Sequence, residues 1–320
     1  MLRRLFIAAV LAASVTACSG GSTNVPPFKS GVLVTPSPSP TPSPTPVPQH
    51  LYVGNDNTPG TIQQYTIPIS STSTPNFSIA SNNVVTVALD AGGDLAAGDN
   101  AGHLQFFTAP LSGASTPAAT FNNGTATNNG QNVFTSAGDM FDSTVSTKVN
   151  FFTHPFTNAT TPSSSITSPL LTGAIGTGLD AAQNLYIANS ASGSVSNLYV
   201  YAPPYTGTPI ITPTVAATAY RKLTLSATQL FVCSVAGATG RVDVYTLPIT
   251  AASAPAFAIT TGMNFPEGIA LDTAGNLYVG NLGDSTVRVY APPFSATSAP
   301  TVALTVGPAP FAIFGIAVGK

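Results

Sequence analysis

Residues 265–281 read Phe265-Pro266-Glu267-Gly268-Ile269-Ala270-Leu271-Asp272-Thr273-Ala274-Gly275-Asn276-Leu277-Tyr278-Val279-Gly280-Asn281. Two short apolar runs flank Asp272-Thr273-Ala274-Gly275, with Asp first and Gly fourth, as a type I turn favours. The segment therefore reads as strand, turn, strand: Gly268–Leu271, then Leu277–Gly280. A third strand, Thr286–Tyr290, ends before Pro292-Pro293, and a fourth covers Thr301–Thr305. The prolines near the fourth suit an outer strand, whose far edge is unpaired.

This unit recurs along the chain. An apolar column stands at Leu51, Leu95, Met140, Leu185, Leu230 and Leu277, at spacings of 44, 45, 45, 45 and 47. A proline landmark follows each, at Pro68, Pro110, Pro155, Pro204, Pro248 and Pro293. The residue after the apolar column is Tyr52, Ala96, Phe141, Tyr186, Phe231 or Tyr278. Three residues before the landmark stand Tyr65, Phe107, Phe152, Tyr201, Tyr245 and Tyr290, aromatic in every copy. Large flat side chains at fixed places suit packing between blade faces. Gly54, Gly98, Ser143, Ala188, Cys233 and Gly280 form a small column, which a crowded backbone contact explains. Six copies of four short strands predict an all-β, six-bladed β-propeller with four-stranded antiparallel blades. The tail Phe314–Lys320 matches an inner strand alone, and the first copy lacks one. The C-terminal strand should therefore complete the blade begun at Leu51 and close the ring.

The stretch Phe265–Val279 resembles the NHL repeat of six-bladed propellers. The match is good over 176–201 and 264–290, partial elsewhere and weak around 130–155. The resemblance implies a binding scaffold with occasional enzymes among its members, so it does not choose a function by itself.

The N-terminus carries an address. Arg3 and Arg4 precede an apolar run, Leu5 to Val15, and then Val15-Thr16-Ala17-Cys18. A basic start, a short apolar stretch and small residues before a cleavage point make a secretory signal peptide. The last four residues resemble a bacterial lipobox, which implies cleavage after residue 17 and lipid on Cys18. Ordinary secretion with Ala17 at the cleavage site is the alternative. Ser19 after the Cys implies, by resemblance, outer-membrane sorting in a double-membraned bacterium. Residues 18–49 then form a tether whose Thr35–Pro48 has Pro at nearly every second position. Such a segment favours polyproline II, and at about 3.1 Å per residue it reaches roughly 40 Å. The propeller should cover 50–320, extracytoplasmic and held to the membrane through its N-terminal lipid.

Charge is scarce: 6% of residues, against a usual share of roughly 25%. Nine Lys/Arg against eleven Asp/Glu give −2, so no basic patch for nucleic acid is expected. A neutral, hydroxyl-rich surface suits a glycan or an envelope protein as partner. Cys233 is the one thiol left once Cys18 is acylated, and it falls in the small column, which points to burial. His50, His103 and His154 share no ligand spacing; His103 reads as a turn residue. Asp90, Asp180 and Asp272 open equivalent turns. Asn55, Asp99, Thr144, Asn189, Ser234 and Asn281 form a column able to hydrogen-bond backbone at a strand end.

Glu267 is the sole glutamate. It sits where the chain approaches an inner strand, beside the expected channel mouth. Its counterparts by register are Phe314, Val85, Gly130, Ile175 and, across a one-residue gap, Arg221. Gluconolactonase-like propellers hold a metal with several acidic and amide groups around the axis, and hard cations need converging oxygens. One carboxylate among apolar neighbours and an arginine does not indicate a metal or any other cofactor. Arg221 and Glu267 are the candidate ligand-binding residues, as a pair locking two blades or orienting a polar ligand. No catalytic set emerges. The leading expectation is a non-catalytic envelope lipoprotein that binds or scaffolds a ligand or protein. A lactonase- or lyase-type enzyme and a structural surface or adhesion component are the alternatives.

Overall fold

The computed structural model describes residues 48–125, 128–191, 195–216, 218–236, 239–307 and 311–320. The signal peptide 1–17, Cys18 and the tether as far as Val47 lie outside the described residues.

The described chain folds as a ring of six antiparallel sheets. Blade 1 holds β1 (His50–Asn55), β2 (Gly60–Thr66) and β3 (Phe77–Ser81). Blade 2 holds β4 (Val84–Leu89), β5 (Leu95–Asp99), β6 (His103–Phe107) and β7 (Ala119–Asn122). Blade 3 holds β8 (Asn132–Phe134), β9 (Met140–Ser143), β10 (Lys148–Phe152) and β11 (Ser164–Thr167). Blade 4 holds β12 (Ala174–Leu179), β13 (Leu185–Ala191), β14 (Val195–Tyr201), β15 (Ile210–Ile211) and β16 (Val215–Ala216). Blade 5 holds β17 (Ala219–Leu225), β18 (Gln229–Ala236), β19 (Thr239–Thr246) and β20 (Phe257–Ile259). Blade 6 holds β21 (Pro266–Leu271), β22 (Leu277–Asn281), β23 (Thr286–Tyr290) and β24 (Val302–Thr305). The last strand, β25 (Ile313–Gly319), returns to blade 1 as its inner strand.

The closure expected from the tail is present. β25 runs antiparallel to β1, with Leu51 opposite Val318 and Val53 opposite Ile316. Blade 1 thus joins the two ends of the described propeller. Two details differ from the sequence reading. The outer position of blade 4 is split, because β15 and β16 both pair with β14. His103 opens β6 instead of lying in a turn, and its Nδ1 stands 2.7 Å from Asp99 Oδ2.

Hydrophobic burial is divided among six clusters, one at each interface between neighbouring blades. The two aromatic columns feed opposite sides of every blade. Tyr290 packs against blade 5, while Tyr278 packs against blade 1. The cause is the period of two in a pleated strand: Tyr290 pairs with Leu277, so the next residue, Tyr278, faces the other way. The interface between blades 6 and 1 has its own cluster, with Leu51, Tyr65, Tyr278 and Ile316, so closure leaves no exposed seam. The small column is crowded as expected. A Cβ on Gly54 would stand 2.6 Å from Val84 Cγ1, and one on Gly280 would stand 2.6 Å from Ile313 Cγ2.

The turn acids also act as read. Asp272 accepts the Gly275 amide on its backbone oxygen and the Asn276 amide on Oδ1, 3.0 and 2.8 Å away. Asp90 and Asp180 make the same pair of contacts. All six proline landmarks follow cis peptide bonds.

Candidate functional site

Five of the six inner strands break their ladder near one end, while β8 of blade 3 pairs regularly with β9. In blade 6 the pairing passes from Pro266–Asn281 to Gly268–Gly280, leaving Glu267 as the extra residue of a β-bulge. The same step leaves Val85 in blade 2, Ile175 in blade 4 and Phe314 in blade 1. In blade 5 the irregularity holds two residues, Arg221 and Lys222, between Tyr220 and Leu223. A bulge re-aims side chains that the pleat would otherwise send between blades. Here Val85, Gly130, Ile175, Arg221, Glu267 and Phe314 all line one cavity of about 340 Å³. Register alone grouped these six; a bulge is the reason for five of them, while Gly130 stands just before β8.

Two cations and one anion line the cavity. Arg221 Nε lies 2.9 Å from Glu267 Oε1, which links blades 5 and 6. The contact is an ion pair by distance, since the Nε–H is not aligned as a hydrogen bond to that oxygen. The partners differ in solvation: the Arg221 side chain is 26% exposed and that of Glu267 only 6%. Burial pushes the Glu267 carboxyl above its ordinary range, opposed by the charges of Arg221 and Lys222. The Arg221 guanidinium also lies over the Phe265 ring, 5.7 Å from its centroid.

Lys222 escaped the sequence reading. Its signal was the one-residue gap needed to align blade 5, which marks the second bulged residue. It is buried, at 4% exposure. Its ammonium donates to the carbonyls of Val85 and Phe314, each 2.6 Å away. Lys222 therefore runs from blade 5 across the axis to blades 1 and 2. Desolvation lowers its pKa to about 8, opposed first by the negative charge of Glu267. Gln131 was also missed. Its side-chain amide donates to the Leu223 carbonyl and accepts the Leu223 amide, at 2.8 and 2.9 Å. It ties blade 3 to blade 5.

Apolar walls complete the cavity, from Val85, Val145, Ile175, Phe265, Leu282 and Phe314. Val145 and Phe265 hold φ of 48° and 55°, in the left-handed region that costs a branched or bulky residue most. Asn128 is exposed at the rim, whereas Asn129 is buried and spends its amide on the carbonyls of Asp99 and His103. Among the described residues, no group of three or more His, Cys, Asp or Glu side chains is placed to hold a metal ion. Cys233 is fully buried, and burial pushes its thiol well up.

Solved structures share this fold at low sequence identity. A provisionally assigned 6-phosphogluconolactonase of Bacteroides fragilis superposes with a TM-score of 0.62 at 12% identity, over 88% of this chain and 100% of that one. A second provisional 6-phosphogluconolactonase, from Bacteroides uniformis, gives 0.56 at 17% identity, over 82% and 84%. A protein of unknown function from Desulfotomaculum acetoxidans gives 0.56 at 11% identity, over 85% and 99%. At such identities the likeness is one of fold. No protein-family model and no curated protein matches the sequence.

Proposed function

We propose that this chain is a cell-envelope lipoprotein whose propeller binds a small ligand at the channel mouth without turning it over. One observation carries the binding reading: bulged residues of five inner strands converge on a single cavity, lined by apolar walls and by the Arg221–Glu267 pair. A small, mostly apolar recess with a few fixed polar groups is the usual form of a ligand site. The floor is braced, because Lys222 and Gln131 tie blades that are not neighbours. A braced floor keeps the recess pre-formed and lowers the ordering cost of binding. The anchor rests on Val15-Thr16-Ala17-Cys18 and on the proline-rich tether that follows. An NHL-type origin of the repeat rests on the Phe265–Val279 stretch.

A lactonase reading is the second one, favoured by what the two Bacteroides neighbours are assigned to be. Glu267 would then serve as the base. Among the described residues the cavity offers it no second carboxylate and no histidine to share the proton work.

One pair of measurements separates the readings. Full-length protein is screened by ligand-observed NMR against small organic acids, amides and sugars, and is assayed for hydrolysis of 6-phosphogluconolactone. Saturable binding without turnover is expected. Turnover that disappears in Glu267→Gln overturns the non-catalytic reading. Fatty-acid labelling tests the anchor, and label that persists in Cys18→Ala rules it out.

A further inference from the structure

We infer that the ligand is a small monocarboxylate with a compact apolar body, its carboxylate held by the terminal nitrogens of Arg221. This rests on the channel-mouth cavity being a binding site. The argument begins with charge. The chain as a whole is slightly acidic, yet the cavity lining holds Arg221 and Lys222 against Glu267 alone. Asp56, on the loop after β1, acts on Lys222 electrostatically but does not line the cavity. The excess at the wall is therefore positive.

The two cations are not equivalent. Lys222 is committed, with its ammonium spent on two backbone carbonyls. Arg221 is not. Its Nε stands 2.9 Å from Glu267 Oε1 without a hydrogen bond, and no hydrogen bond from its terminal nitrogens is seen among the described residues. A guanidinium presents its donors as a planar fork that matches a carboxylate with two parallel bonds. The Phe265 ring beneath it limits the planes the fork can adopt. Glu267, almost fully buried behind it, keeps the guanidinium in place.

Size and polarity define the rest of the ligand. About 340 Å³ is at the small end for a ligand site. Ile175, Leu282, Phe265 and Phe314 surround the remaining space, so the body facing them is apolar. A polyol or sugar would leave its hydroxyls unpaired against these walls.

The test uses the full chain and three probes: cyclohexanecarboxylate, the isosteric cyclohexanecarboxamide, and acetate. Binding is read by titration calorimetry and by ring resonances of Phe265 and Phe314. Cyclohexanecarboxylate should bind at least tenfold tighter than either other probe. Arg221→Gln should abolish the preference for carboxylate over amide, and Arg221→Lys should keep only part of it. Glu267→Gln removes the competing anion and should tighten the carboxylate several-fold, an effect no merely structural role for the pair produces. Equal binding of carboxylate and amide at the Phe rings overturns the carboxylate assignment and leaves the cavity as a site. No ring shift with any probe, while other small molecules in the screen do shift the rings, also overturns it. Silence from every compound overturns both readings.

Discussion

Arg221 and Glu267 meet at 2.9 Å across the interface of blades 5 and 6, the first a quarter exposed and the second almost fully buried. This asymmetry sets what each substitution does. Removing Arg221 leaves a buried carboxylate without its nearest cation, whereas removing Glu267 leaves Arg221, which water can reach, and Lys222, which keeps its two carbonyl acceptors. Arg221→Ala should therefore destabilise by about 1–3 kcal/mol, below the range for a wholly buried pair because Arg221 is partly screened. Glu267→Gln should cost less, and the double variant less than Arg221→Ala alone. Urea denaturation of the three variants checks the order.

Lys222 is a latch across the axis. Lys222→Met keeps much of the packing but deprives the carbonyls of Val85 and Phe314 of their donor. A loss on the order of 1–3 kcal/mol at neutral pH is expected. The pH dependence has a definite sign. The folded lysine titrates near 8 and the unfolded one near 10.5, so between these values the unfolded chain binds more protons. The contribution of Lys222 to stability should rise with pH across that window as the desolvation cost of the ammonium is relieved, read as the difference from Lys222→Met. Denaturation midpoints of both proteins from pH 7.5 to 10.5 measure it.

The acid side should run the opposite way to ordinary acid denaturation. Asp142 is fully buried, with no hydrogen bond to either carboxyl oxygen among the described residues, and burial raises its pKa well above 3.8. Glu267 is raised from 4.5 by burial as well. The folded chain therefore takes up these protons before the unfolded chain does. Their contribution to stability should grow as pH falls from neutral toward the unfolded values, and shrink as pH rises. Asp142→Asn should remove part of that gain, seen as a flatter melting temperature between pH 7 and 5.

Closure should be indispensable. A chain ending at residue 311 lacks β25, which uncovers one whole edge of β1 and removes Ile313 and Ile316 from the cluster between blades 6 and 1. Loss of a single cooperative unfolding transition is expected, followed by circular dichroism on heating. Gly54→Ala probes the same region more gently. Its new methyl would press on Val84 Cγ1, and overpacking of this kind costs typically 1–3 kcal/mol.

The ring was legible because its information is one-dimensional. The apolar column from Leu51 to Leu277 and the aromatic column from Tyr65 to Tyr290 repeat at nearly constant spacing. Which face each aromatic column takes was not legible, because it depends on the Leu277–Tyr290 pairing across two strands. The site was legible in part for the same reason as the ring. Glu267, Arg221, Phe314, Val85, Gly130 and Ile175 share one register position, and the structure brings them together. Lys222 and Gln131 were not legible, because neither occupies a repeating column.

The sequence by itself determined the blade count, the strand order within each blade and the strand that closes the ring, all of which follow from local periodicity and chain order. Only the tertiary structure decided how the axis is filled. Lys222 finds its acceptors 137 residues away at Val85 and 92 away at Phe314. Those distances span blades that become neighbours of the axis only once all six have packed. A bulge turns one side chain inward, but which carbonyl or ion it meets depends on the residues that other blades place opposite it. Packing around the whole ring, and not the pattern of any one repeat, leaves Lys222 spent on two carbonyls and Arg221 a quarter exposed beside Glu267.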